Sequence, residues 1–203
     1  KKAGAFGLAG CFSTHPLKNL SAAGDGGFVS TNDNQLAEKI RLLRDHGQRT
    51  KEDLAFYGFN SRLDNLQAAI LNIKLRYLPR WLERRREVAM MYHKGLTTLS
   101  TLKLPPPPAS EGQYFDVYSS YVVRAQDRDK LYKYLLAQSI EVFVNWPKPL
   151  HFQAALGLGQ FHLPRTESFA KEVISLPING EIANEQVQFV IDSIHGFYNR
   201  AGA

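Results

Sequence analysis

The sequence predicts an α/β protein in two parts: a piece of a larger α/β domain, joined by a long helix to a small α+β domain. Three observations predict it. A glycine-rich start holds two short strand candidates around a turn, and a two-faced helical pattern fills the middle. Beyond a run of four prolines, strand and helix patterns alternate. The 203 residues suit one ordinary domain, or one domain and part of another.

Residues 10–14 and 27–31 are the strand candidates, and Asp25-Gly26-Gly27 marks the turn before the second, because glycine accepts positive φ without a steric cost. Asn32 and Asp33 offer N-caps for a helix over about 34–45, with Leu36, Ile40 and Leu43 on one face and Gly47 as its stop. After a polar loop, Leu63, Leu66, Ile70, Ile73 and Tyr77 form one helical stripe, and Leu71, Leu75, Leu78 and Leu82 a second. A helix apolar on two sides is deeply buried or shared with a second subunit. Pro79 is expected to kink it before it runs on through Arg84-Arg85-Arg86. Pro105–Pro108 is a stiff connector and sets the expected boundary, giving domains 1–104 and 105–203. Beyond it we expect a strand at 117–124, a helix at 127–138 capped by Asp127, a strand at 140–146, and helices near 165–174 and 184–199.

Hydrophobic residues at 44% and charged residues at 22% exclude a disordered, collagen-like or low-complexity chain. No apolar run approaches the roughly 18 residues of a membrane span, and the first fifteen residues lack the apolar core of a signal peptide. The single cysteine, Cys11, excludes an internal disulfide and most zinc patterns, so a reducing cytoplasm and no metal are expected. Cys11 itself reads as a small packed residue. The chain opens at Lys1, in what looks like mid-domain sequence, and is expected to be part of a longer one.

The net charge is +6, and thirteen lysines and arginines face six acids between Lys39 and Lys94. Such a stretch is either a surface for an acidic partner or the solvated stripe of a long helix, and the stripe is the expectation. No zinc-finger spacing, aromatic RNA-binding motif or helix-turn-helix accompanies it, so no nucleic-acid partner is expected.

Lys18 lies beyond a strand candidate, among small and hydroxyl residues, ahead of a glycine turn. That is a position for imine chemistry, in which a neutral amine attacks a carbonyl, and Ser13 can donate to a phosphate held beside it. A lone lysine in a glycine-rich loop is ordinarily a surface lysine. Three histidines need sorting: His15 beside Lys18 reads as loop packing, His46 as a residue at a helix end, and His151 as a turn histidine after Pro-Lys-Pro-Leu.

The run Ser13-Thr-His-Pro-Leu-Lys18-Asn-Leu with Gly24-Asp-Gly-Gly27 resembles the lysine segment of the DegT/StrS sugar aminotransferases. These are pyridoxal-phosphate enzymes of the aspartate-aminotransferase fold (fold type I). The resemblance continues at Leu42-Leu-Arg-Asp-His-Gly47, at Tyr57-Gly-Phe-Asn60-Ser-Arg62-Leu-Asp-Asn-Leu-Gln67-Ala-Ala69, at Trp146-Pro-Lys-Pro-Leu-His151 and at Ile174-Ser-Leu-Pro177. Five blocks in register cover nearly the whole chain, which then corresponds to the C-terminal part of a family member: part of the cofactor-binding large domain, then the small domain.

The resemblance implies roles. Lys18 matches the family lysine that forms the internal aldimine with pyridoxal 5'-phosphate and then shuttles a proton. Ser13 matches a phosphate ligand, and Asn60 a residue reaching the cofactor phosphate of a neighbouring subunit, so a homodimer with a shared active site is implied. Arg62 stands where a guanidinium forks onto a substrate carboxylate, or else where it makes a structural ion pair. Gln67-Ala-Ala69 opens the bridging helix as a packing element. His151 borders the sugar pocket. The implied reaction moves an amino group from an amino acid, glutamate, to a nucleotide-linked keto sugar.

Three positions depart from the family pattern: Thr14 replaces a usual aromatic, and Ser119 and Asn145 replace common histidines. Segments that stack on the cofactor ring and pair its nitrogen lie upstream in the family, so this chain alone is expected to be inactive. Two other readings remain: a sugar dehydratase, which the family's lysine-to-histidine exchange would accompany and Lys18 opposes, and a non-catalytic interaction module.

Overall fold

The computed structural model describes residues 1–109, 112 and 114–201. The chain forms two compact units, Lys1–Pro79 and Arg80–Ala203.

In the first unit, β1 (Ala9–Ser13) and β2 (Gly27–Thr31) form an antiparallel hairpin with Ala9 opposite Thr31 and Ser13 opposite Gly27. Cross-strand stacking of Phe12 on Phe28, centroids 4.8 Å apart, fixes that register. Helix α1 (Asn34–Arg44) starts as its sequence dictates, with Asp33 Oδ1 accepting from the Gln35 and Leu36 amides at 2.9 and 3.0 Å. The polar loop after it contains a small hairpin, β3 (Gln48–Thr50) and β4 (Asp53–Leu54), with Arg49 and Asp53 paired at 3.2 Å. Helix α2 (Asn65–Leu75) then stops two residues short of α3 (Leu78–Leu96). Pro79 breaks the helix here rather than kinking it. Its ring excludes the Leu75 carbonyl and it has no N–H to give, so the preceding turn closes instead through Arg76 and Tyr77, bonded to Ile73 and Lys74 at 3.2 and 3.0 Å.

This unit buries little. Ala22 and Leu71 are its buried hydrophobic residues, while Leu17, Leu66, Phe59 and Ile73 are 80, 72, 69 and 59% exposed. On α2 Leu71 is buried and Ile70 half-buried, while Leu66, Ile73 and Leu75 stay exposed, so the two-sided stripe is covered only in part.

The second unit carries the core. A three-stranded antiparallel sheet, ordered β5 (Leu102–Lys103), β6 (Tyr121–Ala125), β7 (Val173–Leu176), is covered by α3, α4 (Arg128–Ala137) and α6 (Asn184–Ala201), with α5 (Pro164–Glu172) leading into β7. Period-two alternation on β6 turns Tyr121, Val123 and Ala125 inward. They meet Val88, Tyr92 and Leu96 of α3, Leu131 and Leu135 of α4, and Val187 and Ile194 of α6. Each fully buried Leu, Ile or Val contributes roughly 1.5–3 kcal/mol.

Three details differ from the sequence reading. The third strand is β7, where the pattern suggests the end of a helix; residues 140–146 contribute only a bridge between Phe143 and Ser175. A short apolar run fits either period, and here sheet pairing with Tyr121–Arg124 decides. Asp127 precedes α4 at φ 54°, and its carboxylate pairs with Lys130 at 2.9 Å instead of capping the helix. The proline run does not divide the units: the Tyr118 hydroxyl donates to the Pro106 carbonyl at 2.8 Å, tying that stretch into the second unit.

The arginine cluster is neither a solvated stripe nor a surface for an acidic partner. Arg84 donates to the Ile182 carbonyl and Asn184, and Arg85 to the carbonyls of Tyr118, Ser119 and Ile178. Arg86 donates to those of Asp116 and Ala109 and stacks on Phe115 at 4.1 Å. The three guanidiniums are internal caps for irregular backbone that has no ladder partners.

On the other side of the sheet, Glu172 accepts from Ser168 at 2.5 Å and from Arg124 at 2.7 and 2.8 Å. The serine hydroxyl first, and then the guanidinium, hold its carboxyl below the ordinary value of 4.5. A carboxyl depressed in the folded state adds stability that is present above the ordinary value and lost as pH falls through the lowered one. Glu172→Gln is expected to lower stability by less than about 1 kcal/mol at neutral pH, since the pair is a third exposed. The difference from the parent should shrink once pH drops below 4.5. Thermal melts of the two proteins across pH measure it, and a gap that widens in acid would contradict the pairing. Among the described residues, no helix is long and apolar enough to cross a membrane.

Candidate active site

β1 ends at Ser13, and the chain enters a closed loop that presents Lys18. The Thr14 amide donates to the Gly26 carbonyl at 2.8 Å and the Ala22 amide to the Thr14 carbonyl at 2.7 Å, which seals the loop against the hairpin. Inside it, the Lys18 amide donates to the His15 carbonyl at 2.8 Å, the Leu17 amide to His15 Nδ1 at 3.2 Å and the His15 amide to Ser13 Oγ at 3.3 Å. His15 is thus the pivot of the turn. The Lys18 side chain is exposed, as is Ser13.

Helix α2 holds this loop from behind. Gln67 Oε1 accepts from the Ala23 amide at 2.8 Å, and Lys74 Nζ donates to both the carbonyl and the hydroxyl of Ser21 at 2.8 Å. The sequence pattern gives Gln67 only a packing role and assigns Lys74 none. The signal is nonetheless present: Gln67, Leu71 and Lys74 fall at i, i+4 and i+7, so two polar side chains flank the one buried residue of α2.

Asn60 is exposed on a strap laid along the end of α1. The His46 amide bonds the Phe59 carbonyl at 2.8 Å, the Phe59 amide the Leu43 carbonyl at 2.7 Å and the Ser61 amide the Arg44 carbonyl at 2.8 Å. Glycine is required in this crossing. Gly47 sits at φ 75°, a Cβ on it would overlap the Phe56 carbonyl oxygen, and a Cβ on Gly58 would overlap the Gly47 amide. Arg62 pairs with Asp45 at 3.3 Å, both partly exposed. Ser13, Arg44, Ser61 and Leu63 line one open cleft. Cys11, expected to be packed, is exposed on the same hairpin, because nothing in the first unit covers that face.

His151 belongs to the second unit and is 4% exposed. Its Nε2 lies 3.2 Å from Glu167 Oε1 and its ring packs on Phe152. The structure brings Ser13, His15 and Lys18 into one turn and Asn60 and Arg62 onto one strap.

The cofactor implied by the resemblance has a phosphate and an aldehyde. An exposed hydroxyl at Ser13 and an exposed amine at Lys18 match those two groups, and an arginine lines the same cleft as Ser13. Thr14 Oγ1 and Asn19 Oδ1, buried on either side of His15–Lys18, have no hydrogen-bond partner among the described residues. The loop therefore keeps polar capacity that the fold does not consume, and the residues fit the group.

The chain matches the family model for DegT/DnrJ/EryC1/StrS aminotransferases over residues 1–195. It is 43% identical over 201 residues to the pleiotropic regulatory protein of Geobacillus stearothermophilus, covering 98% of this chain and 54% of that one. It is 38% identical over 203 residues to the dTDP-3-amino-3,4,6-trideoxy-alpha-D-glucose transaminase of Streptomyces venezuelae, covering 98% and 53%. The crystal structure of S. venezuelae DesV in complex with a ketimine intermediate superposes with a TM-score of 0.89 at 39% identity, covering 97% of this chain and 53% of that one. The chain spans about half the length of the curated relatives it matches. It belongs to the DegT/DnrJ/EryC1/StrS aminotransferase family.

Proposed function

We propose that this chain supplies the lysine-bearing part of an aminotransferase that moves an amino group from an amino acid, glutamate, to a nucleotide-linked keto sugar, with pyridoxal 5'-phosphate as cofactor. The observation that supports it best is the exposed Lys18 amine on a turn fixed at His15, Gln67 and Lys74, in a chain similar along its length to sugar transaminases.

When bound, the cofactor supplies the electron sink that makes the substrate carbon acidic. Lys18 Nζ would carry the proton, taking it from that carbon as base and giving one back as acid in each half of a ping-pong cycle. Ser13 Oγ donates to the phosphate, and Asn60 of a second copy donates to the same group, so the active site is completed in a homodimer. The bare apolar face of α2 supports that dimer, because a second subunit gives it something to be buried against. Arg62 receives the amino donor's carboxylate, exchanging Asp45 for it. In net terms glutamate becomes 2-oxoglutarate and the ketone becomes a primary amine, with no outside oxidant or reductant.

The test uses the protein at its full natural length with cofactor. Incubated with glutamate and a nucleotide-linked 3- or 4-keto sugar, it is expected to release 2-oxoglutarate and an amino sugar in equal amounts by mass spectrometry. A deoxygenated sugar without 2-oxoglutarate would mark a dehydratase, and no turnover with either sugar would refute the reading.

A further inference from the structure

The turn that presents Lys18 contains one backbone amide that a turn does not satisfy by itself. His15-Pro16-Leu17-Lys18 is a β-turn: the Lys18 amide donates to the His15 carbonyl at 2.8 Å, and Pro16 stands second, where its fixed φ suits the geometry. Such a turn pairs its first carbonyl with its fourth amide, and the third amide, that of Leu17, is left over. The His15 ring takes it, with Nδ1 accepting from the Leu17 amide at 3.2 Å. One bond earlier, the His15 amide donates to Ser13 Oγ at 3.3 Å. That contact occupies a lone pair of the hydroxyl and leaves its proton free to give.

Because Nδ1 accepts, it carries no proton, and the ring N–H is at Nε2. Nε2 lies 3.9 Å from Asp25 Oδ1, too far for a hydrogen bond, and that carboxylate is 95% exposed. The ring is thus oriented by its bond to Leu17. Pro16, Leu17 and Lys18 are all exposed, so hydrogen bonds rather than packing hold the apex of the loop. Helix α2 grips the far limb, at Ser21 and Ala23, and His15 braces the near one.

We propose that His15 is a positioning residue: its neutral ring braces the turn at Leu17 and so fixes the direction in which Lys18 presents its amine. The proposal rests on the aminotransferase reading above. A histidine that only packed in the loop would matter for stability and for nothing else. One that aims the amine matters for each step in which the amine takes part, and little for the affinity of either substrate.

Two amide side chains separate these roles in the full-length holoenzyme. Asparagine carries its oxygen at about the reach of Nδ1 from the backbone, and glutamine at about that of Nε2. His15→Ala and His15→Gln are expected to lower kcat about tenfold, with the KM for each substrate within about threefold. His15→Asn accepts the Leu17 amide as the ring does and should keep kcat within about threefold of the parent. Glutamine gives the same reading as alanine should alanine not fold. An unchanged kcat in the Ala or Gln variant, a loss confined to KM, or an Asn variant no better than Gln overturns the proposal.

A second readout does not need turnover. In the cofactor-free protein, hydrogen exchange at the Leu17 and Lys18 amides should speed up about tenfold in the Ala and Gln variants and not in Asn. Capture of added pyridoxal 5'-phosphate on residue 18, trapped with borohydride, should slow about tenfold in the same two variants. If the parent captures none there, the aminotransferase reading fails while exchange still judges the brace; unchanged exchange would overturn it.

Discussion

Lys18→Ala, in the full-length holoenzyme, is expected to reduce transamination at least about 10³-fold while leaving stability within roughly 0.5 kcal/mol of the parent. The two halves of that expectation come from different features of the turn. Lys18 enters the fold through its backbone amide, bonded to the His15 carbonyl, and alanine keeps that bond. Its side chain is exposed and fills no core position, so truncation opens no cavity. The neighbouring His15 does not replace the amine, since an imidazole forms no imine with an aldehyde, and its Nδ1 accepts from the Leu17 amide. Borohydride reduction followed by digestion should fix the cofactor to the peptide holding residue 18 in the parent and to no peptide in the variant. A variant with normal turnover, or a label on another lysine, would remove Lys18 from the chemistry. Lys74→Met makes a useful contrast: it releases Ser21 and loosens the turn without touching the amine. It should therefore cost less than Lys18→Ala and leave the labelled peptide the same.

Much of the first unit is legible in the sequence, and the reason is local chemistry. Asp33 ahead of an amphipathic run, Asp25-Gly26-Gly27 between two strand candidates and Pro79 within a helical stripe each act over a few residues, and each did what its type dictates or something stronger. What pattern could not resolve is decided by distant partners. Val173–Leu176 became a strand because Tyr121–Arg124 lay beside it, and residues 140–146 lost that role because one bridge at Phe143 was all they obtained. The three adjacent arginines look like a charged surface when only their own helix is considered. Their actual partners are carbonyls 23 to 98 residues away. The same holds at the site. Ser13 and Lys18 are close in sequence and could be read together, whereas Gln67 and Lys74 reach the loop from 44 and 53 residues off. His151 could be named as a turn histidine, yet the carboxylate that holds it comes from the following helix.

Gly47→Ala is expected to cost roughly 3 kcal/mol or more and to disorder the strap that carries Asn60. Two separate costs combine there. The backbone at φ 75° is one that alanine adopts only under strain, worth about 1–3 kcal/mol. The added Cβ also overlaps the Phe56 carbonyl oxygen, which is backbone and cannot rotate away as a side chain would. Relief requires residues 55–58 to lift from the end of α1, breaking the bonds that the Ala55 and Phe56 amides make to the Gly47 carbonyl. The Phe59 and Ser61 amides, bonded to Leu43 and Arg44, should then lose hydrogen-exchange protection. If Asn60 reaches the cofactor of a second copy, retention of cofactor should fall about tenfold in the dimer. Gly157→Ala isolates the two costs. Gly157 has a similar φ of 62°, but nothing stands within 4 Å of the Cβ it would gain. Its substitution should cost only about 1–2 kcal/mol. Equal destabilisation by the two substitutions would show that the left-handed backbone alone matters, and that the close approach of Gly47 to Phe56 does not hold the strap in place.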